Sequence, residues 1–233
     1  ASGTLGSTWM GANHPEIFDG VTEAISEVGG FSLTTPGGKR VYVVQSAEKG
    51  LWWFRMSATG SAGHGSMRNP DNAVGHLLKA LSRIDSHQWP DLGHPVQEKF
   101  LAEVSEMWGL TIDRDDLESS LAPIGPLSRM VAACCSHNVT TTVLSAGYKV
   151  NVVPTRASAE IDARFIPGAE EEMISTIKSL AGPGIDFETI SLKPAAAAPF
   201  EGSAVDAIHR AIDAEDPGAV VLPYLNSAGT DAK

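Results

Sequence analysis

Between Arg156 and Phe165 the chain reads RASAEIDARF, and the alternation is unbroken: Ala159, Ile161, Ala163 and Phe165 face one way, Glu160, Asp162 and Arg164 the other. Successive side chains of a strand point to opposite faces, so the pattern predicts a strand with one dry face and one wet one. Such a strand does not stand alone. It needs neighbours in a sheet and a layer over its apolar side. The rest of the chain offers both. GLWWFRMSAT (50–59), NVTTTVLSA (138–146) and IDFETISL (185–192) are rich in β-branched and aromatic residues and predict three more strands.

The covering layer is legible too. Ala73, Leu77, Leu78, Leu81 and Ile84 recur at helical spacing, with Asn69 or Asp71 as the expected cap. GAEEEMISTIKSLAG (168–182) is amphipathic and carries acidic residues in its first turn, where the helix dipole favours them. From 50 to 192 the order is strand, helix, insert, strand, strand, helix, strand. That order predicts a ferredoxin-like domain, an antiparallel sheet covered on one face by two helices. The insert, about 86–138, holds several prolines, a short amphipathic stretch at 97–108 and the acidic run DRDDLESS. It reads as loops and short helices.

The flanks differ. KRVYVVQ (39–45) predicts a strand, expected to form a hairpin with 50–59 across the turn SAEK. A helix is expected over 203–214, followed by the apolar run AVVLP. Residues 1–49 and 194–233 are expected to belong together as part of a second, α/β domain into which the α+β domain at 50–193 is inserted. ASGTLG at the start and AGTDAK at the end both read as interior sequence, so a fragment is expected.

Bulk properties exclude several classes. Of the 233 residues 42% are hydrophobic, and no apolar run approaches the roughly 20 residues of a membrane helix. A net charge of −11 argues against nonspecific binding to nucleic acid, which needs a positive surface. The two cysteines, Cys134 and Cys135, are adjacent, which disfavours a disulfide between them, and no zinc-type Cys/His spacing occurs. The expected location is the cytoplasm.

One loop asks for chemistry. RMSATGSAGHGSMRNPDNAV (55–74) sets His64 between Gly63 and Gly65, ahead of a helix. Glycines let a backbone approach a ligand closely, and a helix N-terminus suits an anion. The loop lacks the Gly-Lys-Ser/Thr ending of a P-loop, and Ser66 lacks the GxSxG elbow of a nucleophile. Read alone, His64 is an exposed loop residue. Trp52 and Trp53 read as strand packing.

Three further segments narrow the choice. YKVNVVPTRASAEIDARFIPG (148–168) sets an Asn before an apolar pair and a proline and ends its strand in Asp-x-Arg. EAISEVGGFS places an acidic residue before two glycines, and NSAGTDAK ends the chain. Taken in order with GSAGHGSMRNPDNAV, these four segments resemble the M20 family of metallopeptidases and amidohydrolases, which includes aminoacylases, carboxypeptidases and dipeptidases. The resemblance implies a metal-dependent hydrolase of peptide or N-acyl amino acid amide bonds. Two metal ions, usually zinc, would polarise the scissile carbonyl and activate water. The family's general base and most of its metal ligands would lie outside this chain.

The resemblance also implies roles. Glu27 would be a metal ligand. His64 would stabilise the tetrahedral intermediate from across a homodimer formed through the lid domain. Asn151 would donate to the substrate, and Arg164 would clamp its carboxylate, a task for which the planar guanidinium fork is suited. Gly229 and Thr230 would meet that carboxylate through backbone N–H and hydroxyl. Simpler readings stand beside these: a turn for Asn151, an ion pair with Asp162 or Glu160 for Arg164, a helix end for Glu27. The competing reading of the chain is a non-catalytic ferredoxin-like module that dimerises or binds a small anion.

Overall fold

The computed structural model describes residues 6–26 and 28–230. In chain order the elements are α1 (Ser7–Asn13), β1 (Ser32–Thr34), β2 (Arg40–Glu48), β3 (Gly50–Thr59), β4 (Gly63–His64), α2 (Ala73–Asp85), α3 (Pro95–Trp108), α4 (Leu117–Ser120), α5 (Ser128–Ala132), β5 (Asn138–Ala146), β6 (Val152–Val153), β7 (Arg156–Phe165), α6 (Glu170–Ala181), β8 (Ile185–Lys193), β9 (Ala196–Ala197), α7 (Ser203–Glu215) and β10 (Val220–Asn226). They form two compact units. One holds the described residues up to Lys49, Asp91–Ser136, and those from Pro194 on; the other holds Gly50–Pro90 and His137–Lys193.

The second of these units is built on the alternating strand. β7 pairs antiparallel with β3, from Gly50↔Phe165 to Thr59↔Arg156. β5 and β8 flank the pair, giving the order β5-β7-β3-β8 with every neighbour antiparallel. The apolar side of β7 is dry: Ala157, Ala159, Ile161, Ala163 and Phe165 are all buried. α2 packs on β3, β7 and β5 and against α6. Its buried stripe is Ala73, Leu77, Ala80, Leu81 and Ile84; Leu78 remains half exposed. α6 contributes Met173, Ile177 and Ala181. Trp52 points inward and stacks on Phe54 at 3.8 Å between ring centroids, while its Nε1 donates to Thr189 Oγ1 at 3.0 Å. Trp53, one residue on, faces the other side. Burying one such aromatic ring contributes about 1.5–3 kcal/mol, so this pair alone does much to fix the register of β3.

The other unit contains a sheet in the order β1-β2-β10, with β9 also on β2. β2 and β10 run parallel, Val220↔Val41 to Asn226↔Glu48. α3 packs on β10 through Phe100, which meets Tyr224 edge-on at 6.2 Å. Pro95 starts α3 with a fixed φ, and Gly109 ends it in the left-handed conformation at φ 65°.

Three expectations are corrected. Residues 39–45 and 50–59 do not form a hairpin. SAEK has no glycine, asparagine or proline to turn on; Ser46–Glu48 continue β2, and the chain enters a different sheet at Gly50. The segment expected as an insert of the middle domain groups instead with the chain's two flanks over Asp91–Ser136. Its reason is burial: Gln97, Phe100, Leu101 and Val104 of α3 are covered there, and the buried Lys49 ammonium donates to the carbonyls of Ala133 and Ser136. Third, the cap of α2 is Asn72, not Asn69 or Asp71; its Oδ1 accepts from Val74 N–H at 2.9 Å and Gly75 N–H at 3.3 Å.

Candidate functional site

Asn69 and Asp71 have another task. Asn69 Nδ2 donates to Ser61 O at 2.7 Å, Ser61 N–H to Asp71 O at 2.8 Å, and Ser61 Oγ to Asp71 Oδ2 at 2.5 Å. These bonds fold residues 60–72 back onto the start of α2. The strap so formed carries β4, which pairs with β6: Gly63↔Val153 and His64↔Val152. Gly65 N–H adds a bond to Asn151 O at 2.9 Å. Two segments 87 residues apart in sequence thus become one short ribbon, and His64 Nε2 stands 3.4 Å from Asn151 Nδ2.

Ser66 N–H points at His64 Nδ1, 3.3 Å away, and Ser66 Oγ lies 2.8 Å from the same nitrogen. A ring nitrogen that accepts from a backbone N–H carries no proton itself, so the neutral imidazole is protonated on Nε2. Nε2–H then points at the Asn151 side-chain amide, which can turn its oxygen to accept it; that oxygen has no other partner among the described residues. An anionic oxygen arriving at the pair would be met by Nε2–H and, with the amide turned, by Nδ2–H. His64 itself is exposed, at the end of a glycine-rich strap.

Arg164 is not brought to this pair. Its Nε and Nη2 bind Asp162 Oδ1 and Oδ2 at 2.6 and 2.9 Å, a bidentate pair along one strand. It aligns with Leu51, at the opposite end of β3 from the strap. Eight residues of strand from Arg156 to Arg164 span roughly 26 Å. The ion pair named as the simpler reading of Arg164 is thus formed, with Asp162 as its partner.

The compact unit that contains β2 and β10 holds a cavity of about 850 Å³, lined among others by Ser26, Val28, Gln45, Glu48 and Thr230. Glu27, the expected metal ligand between the first two, lies outside the described residues. Gly229 is exposed and Thr230 is buried at the end of the turn after β10. Among the described residues no group of three His, Cys, Asp or Glu could hold a metal ion. These residues by themselves do not make the zinc centre that the resemblance implies. The cysteines are free and buried, and burial pushes the Cys135 thiol up to about 12, which leaves it inert as a nucleophile.

One wall of the cavity is α7, and its N-terminus is held from outside the helix. Glu23 accepts from Ser203 Oγ and from Ala204 N–H, the latter at 3.0 Å. The Ser203 hydroxyl first, then the Ala204 amide, holds the Glu23 carboxyl below its ordinary value of 4.5. A carboxyl depressed by folding adds stability that is present above its unfolded value and lost as pH falls through the folded one. The protection of the Ala204 amide, relative to its intrinsic exchange rate at each pH, is expected to fall as pH is lowered below about 4.5. In Glu23→Gln that pH-dependent loss of protection should disappear, and a wild-type pH profile in the variant would remove Glu23 as the cap.

Nothing in the sequence assigns a role to Gln45, Glu48 or Asn226; Ser66 alone has a local signal, its position two residues after a loop histidine.

Comparison with known proteins bears on these features. Residues 46–182 match the family described as the peptidase dimerisation domain. "Probable carboxypeptidase S-like 2" of Dictyostelium discoideum is 23% identical over 234 residues, which is 94% of this chain and 41% of that protein. Aminoacylase-1 of Sus scrofa is 27% identical over 153 residues, 64% of this chain and 30% of that one. The crystal structure of aminopeptidase PepT from Bacillus cereus superposes with a TM-score of 0.58 at 14% identity, covering 99% of this chain and 49% of that one. At that identity the likeness is one of fold. The chain spans less than half the length of each of these proteins. Among the described residues no helix is long and apolar enough to cross a membrane.

Proposed function

Because the chain belongs to the peptidase dimerisation domain family of M20 peptidases and amidohydrolases, we propose that it is the substrate-contacting and dimer-forming part of a hydrolase. The bond cleaved is the amide of a peptide or an N-acyl amino acid. One observation carries the reading: the β4–β6 ribbon brings the exposed His64 imidazole to within 3.4 Å of the Asn151 side-chain amide, two groups that can each donate to one oxygen. An amide carbonyl becomes an oxyanion when water adds to it, and donors already aimed at one point favour that state over the ground state.

In this reading the unit with the β5-β7-β3-β8 sheet is the lid. Its strand order and its two helices support a ferredoxin-like description. The unit with β2 and β10 is part of the catalytic domain, and its cavity is one edge of the cleft. Gly229 and Thr230 meet the substrate carboxylate, and Glu27 is a ligand of a divalent metal centre. The metal, zinc by the resemblance, supplies Lewis acidity. The chemistry assigned to the described residues is confined to their own donors. The family description supports a homodimer, and the exposure of His64 supports its reaching a partner's cleft.

The test is an assay of amino acid release from N-acyl amino acids and dipeptides by the gene product carrying this chain, with metal content and oligomeric state measured together. Release abolished by chelation, from a dimer, is expected. A dimer that binds small carboxylates without turnover would replace this reading with the non-catalytic anion-binding module.

A further inference from the structure

The parallel strands β2 and β10 end side by side, and three polar side chains meet there. Asn226 Nδ2 donates to Gln45 Oε1 at 3.0 Å, and Gln45 Nε2 donates to Glu48 Oε2 at 2.9 Å. At the other end of the series Asn226 Oδ1 accepts from Ala228 N–H at 3.1 Å. Glu48 and Asn226 are buried, only 2% and 5% exposed. Asn226 O also accepts from Lys49 N–H at 2.9 Å, which pins the residue's backbone to the end of β2.

The direction of this relay is set from one end. A carboxylate accepts and never donates, so Gln45 must turn its NH₂ toward Glu48. Its carbonyl is then left for Asn226, which must offer NH₂ in return. That leaves only Asn226 Oδ1 to face the turn, where it holds Ala228 N–H. Each amide could rotate by half a turn with almost no change of shape, and only the partners decide which way it points. The turn so held, 226–230, carries Gly229 and ends in Thr230, which lines the cavity together with Gln45 and Glu48. Ligands of parallel sheets commonly bind at the carboxyl ends of the strands, which is where the relay stands.

We infer that Glu48, Gln45 and Asn226 are positioning residues: a one-way hydrogen-bond relay from the Glu48 carboxylate fixes the 226–230 turn and so presents Gly229 and Thr230 to a ligand's carboxylate. The presentation to a ligand rests on the function proposed above; the relay does not.

The relay makes an asymmetric prediction. Glu48→Gln keeps an oxygen for Gln45 to donate to and should change little. Asn226→Asp can still hold Ala228 N–H with one oxygen but sets the other against Gln45 Oε1. Whichever way Gln45 then turns, two acceptors oppose each other in a buried place. Exchange at the Ala228 amide should rise about tenfold or more. The double variant Asn226→Asp/Glu48→Gln reverses the whole series: the Gln45 NH₂ turns to the new carboxylate at position 226, and the new amide at position 48 donates its NH₂ to the Gln45 carbonyl. Protection at Ala228 should return to within about threefold of wild type. The measurement is residue-resolved amide exchange on the chain, with circular dichroism to confirm folding.

If Asn226→Asp does not fold, Gln45→Leu, which cuts the relay without adding charge, should raise Ala228 exchange in its place. A double variant as unprotected as Asn226→Asp overturns the relay, and so does unchanged exchange in Asn226→Asp or in Gln45→Leu. In the active hydrolase Asn226→Asp should raise KM more than it lowers kcat, and the double variant should restore KM. Exchange that follows the relay while KM stays fixed keeps the relay and overturns the presentation of the turn to a ligand. Exchange that follows it in a protein without hydrolase activity overturns only the function on which that presentation rests.

Discussion

His64→Ala is expected to lower kcat of the active dimer by roughly 10²–10³ with little change in KM, because removing one donor from a developing oxyanion typically costs about 2.7–4 kcal/mol of transition-state stabilisation. The fold should not notice. His64 is exposed, and among the described residues its ring's hydrogen-bonding neighbours are Ser66 and Asn151. Melting temperature and metal content should match wild type. Action across the dimer has its own test: inactive His64→Ala subunits are mixed with subunits inactivated at their general base. After subunit exchange one site in a heterodimer has an intact base and a histidine supplied by its neighbour, so activity should return. A mixture that stays inactive after confirmed exchange places the histidine in its own subunit's site. Full kcat in His64→Ala would remove the oxyanion role altogether.

Gly60→Ala should damage the same site by a different route, through the strap rather than the donor. A Cβ at position 60 would lie 2.5 Å from Asp71 O and 2.6 Å from Ala73 N. Both are backbone atoms at the capped start of α2, so neither can swing aside as a side-chain tip could. Relief requires the strap to lift, which breaks Ser61 N–H to Asp71 O and Gly60 N–H to Thr155 O. Overpacking of this kind typically costs ~1–3 kcal/mol. For a chain of this size that is about 2–4 °C in Tm per kcal/mol. The expected signature is a lowered Tm together with a lowered kcat, where His64→Ala lowers kcat alone. Gly75→Ala is the control. Its Cβ would meet nothing nearer than Asn72 Cβ at 3.9 Å, and it should be neutral or slightly stabilising. A Gly60→Ala chain with wild-type Tm and kcat would show that the strap does not hold the histidine.

Much of the unit with the β5-β7-β3-β8 sheet could be read from periodicity because periodicity is a local property. The alternation of 156–165 dictated a half-buried strand whatever its neighbours were, and the stripe from Ala73 to Ile84 dictated a helix with one dry face. The ends of α3 are also set locally, by Pro95 and Gly109 through their own dihedrals, although the sequence pattern marked only the amphipathic stretch 97–108 between them. Pairing is not local. Nothing in KRVYVVQSAEKG says whether two successive strands share a sheet; the answer lay in Val220–Asn226, far along the chain, whose buried face claims β2 and leaves β3 to β7. The 86–138 segment was misassigned for the same reason. Its prolines and charges are visible in sequence, but its allegiance is set by Phe100 meeting Tyr224 across a gap of more than a hundred residues.

The site divides along the same line. The resemblance to a known family named His64 and Asn151, because the motifs that carry it, a glycine-flanked histidine and an Asn before an apolar pair and a proline, are runs of adjacent residues. It could not say that they meet, nor that Ser66 leaves the imidazole proton on the nitrogen facing Asn151; those follow from the β4–β6 pairing. For Arg164 the sequence left a clamp and an ion pair open; the pair with Asp162 forms along β7, at the end of the sheet away from the strap. The relay through Gln45, Glu48 and Asn226 left no trace in the sequence at all. A hydrogen bond between residues 181 apart exists only once two strands lie in register, and the orientation of an amide is decided by its partners, not by its own chemistry.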